Sequence, residues 1–167
     1  MAFAARRFEV TSPQQSIGGV WWRTLPVAAA LLSAGDDLGN PELSLNPDKV
    51  ALKEGDWVTF DAEKKLIKAA TPTRVAWPVY TDGSRFDVRA GGNATVVYGA
   101  HVARTAAIKP ALVVAAGTLL TTRDGLLDIA APGEAAVAVA EGPKIAGNTQ
   151  FPDGFIDYST IVNTAMP

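Results

Sequence analysis

The chain has 167 residues, 48% of them hydrophobic, a formal net charge of −2 and no cysteine. Those totals exclude disulfides and thiolate metal sites, and they exclude nucleic-acid binding driven by overall charge. They fit one globular domain with an appended arm, long enough to bury about two-thirds of its unfolded surface.

The absence of cysteine suits folding in a reducing cytosol. Fifteen Gly and 11 Pro suit many short strands better than long helices. Charge is uneven: residues 1–109 carry 13 Lys/Arg against 11 Asp/Glu, and residues 110–167 carry 2 against 6. The acidic end and the mildly basic start either pair across subunits or form a solvated surface. Arg6-Arg7 is followed by Thr11 to Ser16 where a twin-arginine signal needs an apolar core, and the apolar run Leu25 to Leu32 is far too short to span a membrane. The expectation is a soluble protein.

Residues 1–24 read as an extended N-terminal arm. Phe8, Val10, Ile17 and Val20 are scattered among polar residues without a sustained period. Trp21 and Trp22 point to opposite sides of an extended segment, so either one is buried and the other meets a partner, or both cover the domain's own edge. Residues 25–34 fit a short buried strand or one or two helical turns. Gly35 to Pro47 is a loop, and its Asp36, Asp37, Asn40 and Glu42 do not follow the spacing of a calcium-binding EF-hand.

Two stretches then repeat one β-meander, Gly55 to Asp82 and Gly117 to Gly142. Gly55 and Gly117 lead, Leu66 matches Leu127, Ala69-Ala70 matches Ala130-Ala131, Pro72 matches Pro132 and Val79 matches Val139. The offset is roughly 60–62 residues, with small gaps at the turns. In the first copy Trp57 and Val58 point to opposite faces, both apolar, which predicts a strand covered on both sides. Pro78 predicts an edge strand or a bulge. In the second, Asp124-Gly125 predicts a tight hairpin turn and Pro132-Gly133 the next one. Ala136, Ala138 and Ala140 predict a strand face that large side chains approach closely.

Between the copies, Arg85 to Arg89 alternates strictly, Gly91-Gly92-Asn93 turns the chain, and Ala94 to Arg104 returns as one strand with a bulge at Gly99. Ala111 to Ala116 reads as another apolar strand. Residues 143–167 form a final strand or C-terminal strap anchored by Ile161 and Val162. The sum is an all-β chain, a small β-barrel or β-sandwich over residues 25–142.

The chain is poor in catalytic material. His101 is the one histidine, set in a predicted strand with no adjacent carboxylate or nucleophile. No nucleophile elbow, zinc motif, phosphate loop or dinucleotide fingerprint occurs. Asp56, Asp61, Asp82, Asp87, Asp124 and Asp128 fall at predicted turns or on outward strand faces. No enzyme, metal or cofactor is expected. Trp57 and Trp77 read as core. Trp21, Trp77 and Tyr80 are the alternative, a sugar-binding platform on a β-sandwich.

The phrase Ala116 to Glu141, with its Gly-Thr-Leu-Leu, Asp-Gly-Leu and Ala-Ala-Pro-Gly-Glu-Ala-Ala-Val-Ala-Val-Ala, resembles the capsid decoration proteins of tailed bacteriophages, also called head-stabilising or cement proteins. Lys53 to Tyr80 and Arg85 to Arg104 are similar in style, so the resemblance covers residues 50–142. It rests on turns and small apolar residues, not on a catalytic signature. It implies a barrel or tulip-like domain, a homo-oligomer (trimer or dimer) on the outside of the virion shell, folded in the host cytoplasm, with the major capsid protein as partner. A head-fibre or tail-associated β-protein is the neighbouring alternative.

In such proteins an arm reaches the shell or a neighbouring subunit. Ordering an arm loses about 1–2 kcal/mol per residue of backbone entropy, which several buried apolar groups at about 1.5–3 kcal/mol each would offset. Phe3, Phe8, Val10, Ile17, Trp21 and Trp22 are therefore the predicted contact residues.

Overall fold

Asp124 (φ 53°) and Gly125 (φ 77°) are both left-handed, and they close a two-residue hairpin whose twist matches its strands. In the first meander the corresponding turn has one more residue. Asp61 and Lys65 close it, the Asp61 carboxylate accepts from the Glu63 and Lys65 N–H groups at 2.9 Å, and Lys64 takes the left-handed place (φ 60°). From such turns the chain, described by a computed structural model over residues 6–12, 21–31, 52–80 and 92–161, builds eleven strands.

They are β1 (Phe8–Ser12), β2 (Trp21–Pro26), β3 (Trp57–Phe60), β4 (Leu66–Lys68), β5 (Trp77–Tyr80), β6 (Asn93–Tyr98), β7 (Val102–Thr105), β8 (Leu119–Arg123), β9 (Leu126–Ile129), β10 (Ala138–Ala140) and β11 (Ile156–Thr160). A single 3-10 turn, Ala29–Leu31, follows β2. All strand pairs are antiparallel, in two sheets: β2-β6-β5-β3-β4 and β1-β7-β11-β10-β8-β9. Each sheet is open, so the architecture is an all-β sandwich and not a closed barrel.

Without β1, the two sheets have one topology. Taken in chain order, the five strands β2–β6 and the five strands β7–β11 are each arranged first, fifth, fourth, second, third. The backbone hydrogen bonds repeat as well. Gly55 donates to Val79 and Gly117 to Ala140, both at 2.8 Å; Val79 donates back to Asp56 and Ala140 to Thr118, so the counterpart of Val79 is Ala140 and not Val139; Ala69 donates to Trp57 and Ala130 to Leu119. Val27 bridges Leu66 in parallel, as Ile108 bridges Leu127. Side chains join in: the Thr59 hydroxyl donates to the Val75 carbonyl at 2.5 Å, and the Thr121 hydroxyl to the Ala135 carbonyl at 2.6 Å. The repeat legible in the sequence as a meander is in the structure a whole five-stranded sheet.

The two sheets pack on unlike faces. Val58, Leu66, Val79 and Val96 lie on one face of the first sheet and form a core with Leu25, Val27, Leu52 and Trp77. Trp57 and Val97, on its other face, join the main core between the sheets. The second sheet meets them with Leu120, Leu127, Ala140 and Tyr158, the counterparts of the first face. The tip of the β8–β9 hairpin seats on the first sheet, where Gly125 accepts from the Trp57 N–H at 2.8 Å and donates to the Ala69 carbonyl at 3.0 Å. The alanine face of β10 serves as expected: Ala140 stands opposite Tyr158 and Ala138 opposite Leu120. The outer face of the second sheet carries ion pairs, with Arg104 on Asp157 and Arg123 on Asp128 and Glu134.

Several sequence expectations need correction. Ala94 to Arg104 is two strands, because the chain leaves the first sheet after Tyr98 and enters the second at Val102. Ala111 to Ala116 is no strand; its inward Leu112 and Val114 pack on the main core, and it pairs with no sheet. Pro78 lies in an interior strand, yet the β5–β6 ladder ends at Val79–Val96, so its missing N–H interrupts no bond. Residues 8–12 and 21–24, read from the sequence as part of an extended N-terminal arm, are outermost strands of the two sheets among the described residues. The predicted strand Arg85 to Arg89 and the loop Gly35 to Pro47 lie outside the described residues.

Candidate functional site

The segment Arg6 to Ser12 clamps the two sheets together. Arg6 pairs with Glu54 at 2.9 Å and Arg7 with Asp56 at 3.0 Å, on the turn that leads into β3, while β1 runs along β7. Asp56 is buried, not outward-facing, and its second oxygen accepts from the Lys53 N–H at 2.9 Å. Burial raises the Glu54 carboxyl above its usual range, opposed by its hydrogen bonds and by the Arg6 charge.

Phe8 fills the space beneath this clamp and is fully buried. Its ring meets that of His101 edge-on at 6.4 Å, and its Cβ lies against Gly55. Phe8 is therefore a core residue of its own chain and has no free surface for a partner. Val10 is half-buried against the same core. Phe3 and Ile17 lie outside the described residues. The alternation Arg7-Phe8-Glu9-Val10 was the signal that this stretch is a strand with one buried face.

β2 is different. Trp21 opens it, paired with Tyr98. Trp22 is 51% exposed, and its ring stands edge-on to Tyr80 at 5.8 Å and 62°. Thr24 and Thr95 share a 2.6 Å hydroxyl hydrogen bond further along the same face. Trp77 is buried beside Phe60 at 5.2 Å, which removes it from any sugar platform. Of the predicted contact residues, Trp22 is the one whose side chain the structure shows exposed.

His101 sits between β6 and β7 and is buried. Its Nδ1–H donates to the Gly99 carbonyl at 2.9 Å, so Nε2 accepts from the Tyr158 hydroxyl at 3.3 Å. Burial holds the imidazole below its ordinary pKa, with the Gly99 bond acting in the opposite direction. Burial likewise keeps the Tyr158 hydroxyl protonated well above the usual range. Both groups are spent on packing and on each other.

Among the described residues no three His, Cys, Asp or Glu side chains converge on a metal position. A cavity lined by Trp57, Ala76, Val97, His101, Val137 and Thr160 measures ≈ 30 Å³, room for about one or two waters. A larger, open groove of ≈ 430 Å³ runs past Leu112, Val113, Ile145 and Gly154. Val113 and Ile145 are exposed there, as are Leu119 and Ile129 nearby in sequence. These surfaces offer apolar contact, and among the described residues no acid, base and nucleophile converge on them.

No family model matches the chain, and no curated protein matches it.

Proposed function

We propose that the chain is a non-enzymatic structural protein of a tailed-phage virion, a decoration or cement protein that binds the outer capsid surface as a homo-oligomer. The observation that carries this reading is Trp22, the one described aromatic side chain that is exposed, set on the edge of a duplicated and firmly bonded β scaffold. The resemblance of residues 50–142 supplies the rest. Among the described residues, the ionisable groups with perturbed pKa values sit in ion pairs or in core contacts, which suits a protein whose work is to present surface. Burying Trp22 against a shell would contribute about 1.5–3 kcal/mol per site. Many identical sites on one particle would raise retention further without new contacts.

The test is co-sedimentation with expanded capsids that lack the protein. The wild type should bind and raise the melting temperature of the shell. Trp22→Ala should keep the wild-type thermal stability and bind about tenfold more weakly or worse. Absence of binding by the wild type would overturn the proposal.

A further inference from the structure

The main core holds one donor that its own packing does not serve. Trp57 is 2% exposed, and among the described residues its Nε1–H is the buried side-chain polar group that meets no hydrogen-bond acceptor. The polar groups around it are matched. His101 Nδ1–H donates to the Gly99 carbonyl, the Tyr158 hydroxyl to His101 Nε2, and the Thr121 and Thr122 hydroxyls to the Ala135 and Thr71 carbonyls. Leaving a buried donor unpaired costs more than ordering one water beside it. An isolated indole N–H in a core so well paired therefore points to a partner that is not protein.

Trp57 also lines the ≈ 30 Å³ cavity, with Gly99 and Thr160 among its other walls. That volume has room for about one or two waters and excludes a larger molecule. A buried water makes about two to four hydrogen bonds, and the lining supplies the further partners. Thr160 Oγ1 accepts from the His101 N–H at 3.0 Å, and the Gly99 carbonyl accepts from His101 Nδ1–H at 2.9 Å. Each of these oxygens keeps a second lone pair. Ala76 and Val137 supply apolar wall. The counterpart of Trp57 in the other half of the duplication is Leu119, so the repeated backbone does not itself call for an indole at this place.

We propose that this cavity is a hydration site, in which one water accepts from the Trp57 indole N–H and donates to Thr160 Oγ1 and to the Gly99 carbonyl. The water joins β3 of the first sheet to β11 of the second and to the crossover that links the sheets. It thereby fixes the rotation of the indole and adds a polar link inside the main core.

The test is a high-resolution crystal structure of the full-length protein, with the indole resonances followed in solution. Density for a water should stand about 2.7–3.2 Å from Trp57 Nε1 and at the same reach of Thr160 Oγ1 or the Gly99 carbonyl. The Trp57 indole N–H signal, identified among four tryptophans by its loss in Trp57→Phe, should show a nuclear Overhauser contact to water and slow exchange with solvent. A crystal structure of Trp57→Phe should lack the density. If that variant does not fold, the wild-type structure alone decides. Three results would overturn the proposal. The first is no water, or a protein acceptor, within about 3.5 Å of Nε1. The second is an indole N–H lying on the face of the Tyr158 ring, whose centroid is 5.9 Å from that of Trp57, seen as a marked upfield shift of its signal. The third is water density that persists unchanged in Trp57→Phe.

Discussion

Phe8→Ala separates a core role from a contact role. If Phe8 belonged to a free arm, its truncation would leave the isolated protein as stable as before and weaken only binding. The structure buries the ring completely, against His101, beside Gly55 and under the Arg6–Glu54 and Arg7–Asp56 pairs. Truncating a buried Phe costs about 3–5 kcal/mol, the lost transfer energy plus the cavity left behind. The whole stability of a chain this size is about 5–15 kcal/mol, so the variant would be left marginal. At about 2–4 °C per kcal/mol, the melting temperature should fall by about 6–20 °C. Urea denaturation of the purified wild type and variant, followed by tryptophan fluorescence, gives the difference directly. Val10→Ala, at a half-buried position of the same strand, should cost clearly less. A Phe8→Ala protein that unfolds within about 1 kcal/mol of the wild type would refute the packing of β1 described here.

The duplication provides its own control. Gly55→Ala and Gly117→Ala both place a side chain at a left-handed φ (84° and 85°), worth about 1–2 kcal/mol, but a Cβ at Gly55 meets the Phe8 Cβ at 3.0 Å and one at Gly117 meets nothing within 4 Å. Gly55→Ala should therefore be the more destabilising by about 1–3 kcal/mol in denaturant melts, and equal losses would contradict the close approach of β1. His101 has a folded pKa below its usual 6.5, so the unfolded chain binds its proton first and stability is complete above that value and falls as pH drops below it. Urea midpoints of wild type and His101→Gln at a series of pH values should show the wild type declining more steeply below 6.5; parallel curves would show that the buried imidazole contributes no linkage.

The sequence made the β class legible because period-two alternation and turn residues need only local physics. Asp124-Gly125 specified its own hairpin, and Gly55 and Gly117 marked equivalent places because both require positive φ. What remained hidden was long-range. β1 pairs with β7 across more than ninety residues, and nothing in Phe8-Glu9-Val10 says which edge it will meet. Ala94 to Arg104 alternates through Gly99 almost without a break, so periodicity alone could not show that the chain changes sheets there. At the candidate site, adjacent Trp21 and Trp22 announced one outward ring, and the register of β2 on β6 decided where it stands.

The two halves of the duplication diverge where their surroundings differ. Positions that serve the backbone are kept: Gly55 and Gly117, Thr59 and Thr121, Ala69 and Ala130. Positions that face the rest of the molecule are not. Trp57 is buried between the sheets, and its counterpart Leu119 is half-exposed on the outer face. Asp124 at the seated hairpin tip has its carboxyl pKa lowered chiefly by Lys109 and also by Lys68, and the counterpart of Lys68 is the exposed Ile129. Packing one face of the second sheet on the opposite face of the first leaves the two end surfaces unlike, as head-to-tail contact always does. The same asymmetry explains the edges. β1 is a single strand in a chain of two sheets, so it can complete only one of two equivalent first strands. Completing β7 ties Arg6 and Arg7 to Glu54 and Asp56 and buries Phe8 between the halves, a contact β1 could not make from the edge of β2. Among the described residues, that choice leaves β2 as the last strand of its sheet.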